Sequence, residues 1–353
     1  MGEKVLMKGN EAIAEAAIKA GCRYFFGYPI TPQNEIPAYM SKRLPEEGGV
    51  FLQAESEVAA SNMVYGAAGA GARVLTSSSS PGISLKAEGI SYIAAAELPC
   101  VIINMMRGGP GLGGIEPSQS DYFQATKGMA HGNFRLLVLA PSSVQEGVDL
   151  MMEAFDLADK YRNPVMILGD GMIGQMMEPV EFAEEIDPEK LPDKEWATDG
   201  AKGREKNVIN SLYLDPDVLE DLNWKLDAKY EQMKEEDVKY ETYQMEDAEL
   251  ALVAYGTSAR IAQRAVELAR QDGIKLGLIR PITLFPFPEK VISRAAERIA
   301  GFLAVELSTG QMVEDVRLAV EGKKPVFFHG RPGGNMLSPE GILNKIREIR
   351  GEL

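Results

Sequence analysis

Short, continuous apolar runs recur along the first half of the chain, each followed by a stretch with helical spacing. Residues 4–8 (KVLMK) read as a lead-in strand. The helix after it takes Asn10 as N-cap and ends at Gly21. Tyr24 to Phe26 is a strand that turns through Gly27 and Pro29, with a helix around Glu35 to Leu44. Val50 to Gln53 is the next strand. It feeds QAESEVAASNMVYGAAGAGA (Gln53–Ala72), a helix so poor in side-chain bulk that a backbone or a flat ring could approach it closely. Val74 to Thr76, Leu98 to Asn104, Phe134 to Leu139 and Pro164 to Leu168 continue the strands. Ser142 and Ser143 cap the helix after Leu139. Buried-type strands alternating with helices predict an α/β fold with a parallel sheet covered on both faces. Such sheets bind ligands at the C-terminal tips of their strands. The tips here are YPITP, QAESE, SSSSPG, RGGPG and GDG.

The alternation lapses between about residues 183 and 245, which are dense in charge and read as a connecting arm ending in an exposed helix. It returns with ELALVAYGT, an amphipathic helix closed by Gly273, KLGLIRPITLFPFP as a strand entering a proline-rich turn, GFLAVELSTGQM and PVFFHGRPGG. The expected division is therefore a first domain over 1–182, the arm over 183–245 and a smaller α/β domain over 246–353.

Composition narrows the class. A net charge of −15 argues against a nucleic-acid surface. The 2 cysteines, Cys22 and Cys100, form no CxxC pair, favour an intracellular home, and are too few for an iron–sulfur cluster. No apolar run approaches the roughly 20 residues of a membrane span. The expected location is cytoplasmic.

Several chemistries fail on the residues. GAAGAGA (Gly66–Ala72) lies inside a helix rather than at a strand–helix turn, so its glycines indicate close packing and not a dinucleotide site. With 2 histidines and no GxSxG, neither a serine-hydrolase triad nor a zinc site is indicated. Gly169-Asp170-Gly171 opens like a thiamine diphosphate–magnesium motif, which needs an asparagine roughly 25 to 30 residues on to complete the oxygen ligands. None occurs there: after Asn163 the next is Asn207. GDG therefore reads as a strand-end turn. Carboxylate chemistry remains. Glu55 and Glu57 stand where a helix begins, and either could simply favour the positive end of the helix dipole.

The spacing from Glu57 through Ala60 to Gly66, with YPITP (Tyr28–Pro32), SSSPG (Ser78–Gly82) and RGGPG (Arg107–Gly111), resembles the alpha subunit of 2-oxoacid:ferredoxin oxidoreductases. VAYGTSAR and RPITLFPFP (Arg280–Pro288) resemble its transketolase C-terminal-like domain. The resemblance implies a thiamine diphosphate-binding, pyrimidine-domain fold plus that smaller domain. It implies oxidative decarboxylation of a 2-oxoacid to acyl-CoA, with ferredoxin reduced. Thiamine supplies the carbanion chemistry, and Glu57 would bond the aminopyrimidine N1′. Arg107 and Thr31 would hold the substrate carboxylate, a task suited to a guanidinium fork with a hydroxyl. Arg107 could instead make a surface ion pair, and Thr31 could cap the helix after Pro32. Pro29 and Ser80 would line the pyrimidine site.

The missing diphosphate motif and cluster ligands imply a heteromeric active site. The resemblance supplies the partners: a beta subunit holding the diphosphate and Mg²⁺, a gamma subunit, and a ferredoxin-like subunit with iron–sulfur clusters. Coenzyme A would be co-substrate and an external ferredoxin the acceptor. One departure points to a branched-chain substrate such as 2-oxoisovalerate. Where 2-oxoglutarate members read RGGPSTGxPT, this chain reads RGGPGLGGIEP, with Leu112 replacing a hydroxyl and Glu116 positioned to repel a second carboxylate. A 2-oxoglutarate or pyruvate specificity, and a scaffold without catalysis, are the alternatives.

Overall fold

The computed structural model describes residues 4–352; residues 1 and 353, the outer limits of the expected first and last segments, lie outside the described residues. The first half runs β1 (Val5–Lys8), α1 (Gly9–Lys19), β2 (Tyr24–Gly27), α2 (Glu35–Glu46), β3 (Val50–Gln53), α3 (Glu57–Gly69), β4 (Val74–Ser78) and α4 (Ser80–Ala95). It continues with β5 (Cys100–Met106), α5 (Tyr122–Thr126), β6 (Leu137–Leu139), α6 (Val144–Tyr161), β7 (Pro164–Asp170), α7 (Gly171–Gln175) and β8 (Met177–Val180). The second half adds α8 (Pro216–Glu236), β9 (Tyr240–Tyr243), β10 (Leu250–Val253), α9 (Gly256–Gln271), β11 (Leu276–Pro281) and β12 (Thr283–Phe285). Then come α10 (Glu289–Ala296), β13 (Gly301–Glu306), α11 (Met312–Val320), β14 (Val326–Gly330) and α12 (Pro339–Glu352).

The larger sheet has 7 strands in the order β12-β6-β7-β5-β4-β2-β3, parallel except for β12. Every residue of β4, β5 and β7 is buried, as continuous apolar runs demand of strands covered on both faces. The smaller sheet has 5 strands, β14-β13-β10-β11-β9, with β9 antiparallel at its edge.

Four expectations change. The KVLMK strand joins neither main sheet; β1 pairs antiparallel with β8 in a ribbon of 2 strands. Asn10 is not a cap. α1 starts one residue earlier, and Asn10 is buried, its Nδ2 donating to the Pro32 carbonyl (2.8 Å) and to Glu35 (2.9 Å). KLGLIRPITLFPFP is two strands, not one. β11 lies in the smaller sheet, and β12, which begins two residues after it ends, completes the edge of the larger. The 183–245 stretch is not only an arm. Its residues around Ala197 and Ile209 cover the end of α3, with Thr198 N–H donating to the Gly69 carbonyl, and its last strand is β9.

Polar side chains stitch the two sheets together. Arg280, at the end of β11, grips the Glu146 carboxylate of α6 through both terminal nitrogens (2.9 and 2.7 Å). Gln119 donates to the Tyr255 carbonyl and accepts from Leu307 N–H. The rings of Tyr122 and Tyr255 lie 5.8 Å apart within one apolar core that draws on both halves.

Candidate functional site at the strand tips

Ser56 is extended and its hydroxyl accepts from Ala59 N–H (3.2 Å), so α3 opens at Glu57. Glu57 is only 6% exposed, whereas Glu55, just before the cap, is exposed. The Glu57 carboxylate rests on Gly82, in the first turn of α4. A Cβ built there would stand 2.7 Å from Glu57 Oε1 and 2.0 Å from Ser78 Oγ. No hydrogen bond or ion pair among the described residues reaches the carboxylate.

The close helix contact is therefore made by α4, not by the glycines of α3. A Cβ on Gly89 would fall 2.3 Å from Ser61 Oγ, while one on Gly66 would meet nothing within 4 Å. Val58, Asn62, Gly66 and Ala70 are all exposed, so they form an open stripe along α3 beside Glu57.

At the β4 tip, the buried hydroxyls of Ser78 and Ser79 have no partner. Ser80, half-buried, is fully engaged: its hydroxyl donates to Asp121 (2.6 Å) and accepts from Arg107 N–H (3.0 Å). Asn104 Nδ2 also donates to Asp121, whose carboxyl burial holds above its ordinary range.

Arg107 is neither on the surface nor ion-paired. It is 7% exposed, donates to the carbonyls of Thr31 (2.9 Å) and Leu112 (3.1 Å), and leaves Nε without a partner. It thereby joins the YPITP turn to the glycine loop. Thr31 does not cap a helix: Asn34 precedes α2, and its amide donates to the exposed Thr31 hydroxyl (3.3 Å). Pro29 is exposed two residues earlier. Leu112 and Glu116 are both exposed, and Glu116 lies against Gly334 of the smaller half. A cavity of about 890 Å³ lined by Trp224, Tyr230, Phe285 and Lys290 includes none of these strand-tip residues.

Sequence reasoning passed over Asn104, Asp121 and Lys86. Lys86 is fully buried, its ammonium donating to Thr76 Oγ1 (2.8 Å). A signal existed. Gly82, Lys86, Gly89, Ile90 and Ile93 follow helical spacing, so the lysine sits on a buried stripe.

The residues suit one end of a thiamine-type cofactor and not the other. A buried, unpartnered carboxylate over a glycine cradle, beside two unpaired hydroxyls, fits a flat heterocycle that both donates and accepts. Asp170 of GDG is consumed structurally: it accepts from Met172 N–H, Ile173 N–H and Thr257, capping α7. Among the described residues no group of three or more His, Cys, Asp or Glu is placed to hold a metal, and no helix is long and apolar enough to cross a membrane.

Comparison with known proteins matches residues 15–254 to the family described as pyruvate flavodoxin/ferredoxin oxidoreductase, thiamine diphosphate-binding, and residues 248–342 to core domain II of pyruvate:ferredoxin oxidoreductase. The ketoisovalerate oxidoreductase subunit VorB of Methanothermobacter marburgensis is 55% identical, with 98% of each chain covered. The 2-oxoglutarate synthase subunit KorA of Methanothermobacter thermautotrophicus is 38% identical, over 99% of this chain and 100% of that one. The 2-oxoglutarate:ferredoxin oxidoreductase of Magnetococcus marinus, solved with 2-oxoglutarate, coenzyme A and succinyl-CoA, shares the fold. Its TM-score is 0.86 at 24% identity, over 98% of this chain and 65% of that chain. The chain thus belongs to the thiamine diphosphate-binding 2-oxoacid:ferredoxin oxidoreductases, as an alpha-type subunit.

Proposed function

We propose that this chain acts in the oxidative decarboxylation of 2-oxoisovalerate and related branched-chain 2-oxoacids to acyl-CoA, within a cytoplasmic complex. A beta subunit holds the diphosphate and Mg²⁺ of the cofactor. A gamma subunit and a ferredoxin-like subunit with iron–sulfur clusters complete the complex, and electrons leave to an external ferredoxin. The observation that carries this reading is the Glu57 carboxylate, almost fully buried yet without a hydrogen bond, lying in the space that the missing side chain of Gly82 leaves.

Thiamine diphosphate, when bound, supplies the carbanion that lets a 2-oxoacid lose CO₂. Glu57 would hold a proton against the heterocycle nitrogen, as a general acid–base carboxylate does. Ser78 and Ser79 offer hydroxyls at the same edge. Arg107 is a buried cation without a counter-ion among the described residues, an arrangement that favours an incoming carboxylate. The exposed Thr31 hydroxyl lies beside the carbonyl that Arg107 binds.

The Leu112 carbonyl accepts from Arg107, so the loop that Arg107 holds carries an exposed apolar side chain. That supports a branched aliphatic substrate, as does the greater identity to the ketoisovalerate relative than to the 2-oxoglutarate one. One methylene is worth only about 1–3 kcal/mol of discrimination, so neighbouring 2-oxoacids compete.

The test is Glu57→Gln in the assembled complex. Ferredoxin reduction by 2-oxoisovalerate falls at least a hundredfold while the subunits still co-purify. Near-normal turnover would overturn the reading and leave a scaffolding role.

A further inference from the structure

We propose that Gly334 is a positioning residue for the substrate carboxylate: the smaller half seats the loop that begins at Arg107, and so sets how tightly a 2-oxoacid is held. The inference rests on the Arg107 role proposed above. The loop leaves β5 at Arg107 and returns at Pro117, and these two residues pair as an isolated antiparallel bridge. It is wound tightly on itself. Gly108 N–H donates to the Glu116 carbonyl (3.0 Å), Gly114 N–H to the Gly108 carbonyl (2.9 Å), and the Arg107 guanidinium to the Leu112 carbonyl (3.1 Å). Residues 109–116 are all exposed, so the loop takes its support at the base. A loop closed in this way moves as one piece, and whatever holds its base directs the guanidinium.

The base rests on the smaller half. Gly334 has a left-handed backbone (φ +90°), and a Cβ built on it would stand 2.5 Å from Glu116 Cβ. Glu116 Cβ is fixed to the main chain, so it cannot yield as the end of a long side chain would. On the other strand of the loop, a Cβ on Gly108 would lie 3.5 Å from the Gly333 carbonyl carbon. The segments beyond both contacts are tied to the tip of β13. Gln119 N–H donates to the Leu307 carbonyl (2.9 Å), and Arg331 N–H to the Glu306 carbonyl (3.1 Å). The loop thus starts in the larger sheet and finishes against the smaller one. A methyl group at 334 pushes Glu116 away and carries the Arg107 fork with it, and a misplacement of about 1 Å in a binding group is enough to weaken binding severely.

The experiment measures KM and kcat for 2-oxoisovalerate in the assembled complex, with ferredoxin reduction as the readout, and thiamine diphosphate binding with Mg²⁺ by calorimetry. Gly334→Ala raises KM about tenfold while kcat and cofactor affinity stay near wild type, the pattern of lost substrate binding. Adding Glu116→Gly, which removes the obstructing Cβ, brings KM back to the value of Glu116→Gly alone. Adding Glu116→Ala, which removes the same charge but keeps the Cβ, does not. Gly333→Ala is the control for strain: its backbone is also left-handed, but its methyl would meet nothing within 4 Å, and it raises KM far less. Gly108→Val reaches the same junction from the loop side without a left-handed backbone, raises KM likewise, and serves if Gly334→Ala does not assemble. An unmoved KM, an equal rise in Gly333→Ala, or no rescue by Glu116→Gly would overturn the proposal. Arg107→Met separates it from the parent reading. Wild-type KM in Arg107→Met overturns the carboxylate role itself, whereas wild-type KM in Gly334→Ala alone overturns only the seat.

Discussion

At Gly82 a methyl group would collide with Ser78 Oγ, on a short side chain, and with the carboxylate of Glu57, which would have to swing from the place it occupies. Gly82→Ala should destabilise the protein by about 1–3 kcal/mol, the usual range for overpacking, and weaken thiamine diphosphate binding to the complex. Denaturant midpoints and titration calorimetry check both. Gly66→Ala is the control. It adds a methyl into open space within a helix, gains up to ~1 kcal/mol of helix propensity, and leaves binding alone. At this scale the sequence was partly legible. Glu57 was recognisable as an acid in the first turn after a strand. The bonds of Arg107 were not, because they go to backbone carbonyls, and a carbonyl has no residue type to announce it. Lys86 was legible in principle, as a charged residue on an apolar stripe.

At the scale of elements, Arg280 shows why a motif can be read and its task missed. RPITLFPFP marks a family resemblance, yet the arginine holds α6 to β11 through Glu146 and also pairs with Glu241. Arg280→Met leaves a largely buried Glu146 without its counter-ion. A cost of about 3 kcal/mol is expected, since breaking one side of a buried pair exposes the other to an uncompensated desolvation penalty. The urea midpoint at neutral pH measures it. The parallel strands were legible from their apolar runs, because burial on both faces removes alternation. The parting of β11 from β12 was not. Both are short apolar runs, and pairing partners far apart in sequence leave no local trace.

The whole molecule joins its two sheets through Arg280, Gln119 and the Asp170–Thr257 bond, with a common apolar core beneath them. One calorimetric transition is therefore expected on heating, with calorimetric and van't Hoff enthalpies in agreement. Two resolved peaks would contradict it. The antiparallel pairing of β12 with β6 also bears on how the chain is made. Leu139 emerges from the ribosome well before Thr283, its partner. At about 5–20 residues per second the nascent chain carries a raw sheet margin for roughly 7 to 30 seconds. An unpaired margin of that kind invites pairing with other strands. Synthesis in the cell thus places its heaviest demand for chaperone cover on this interval, after the first sheet has gathered and before its last strand arrives.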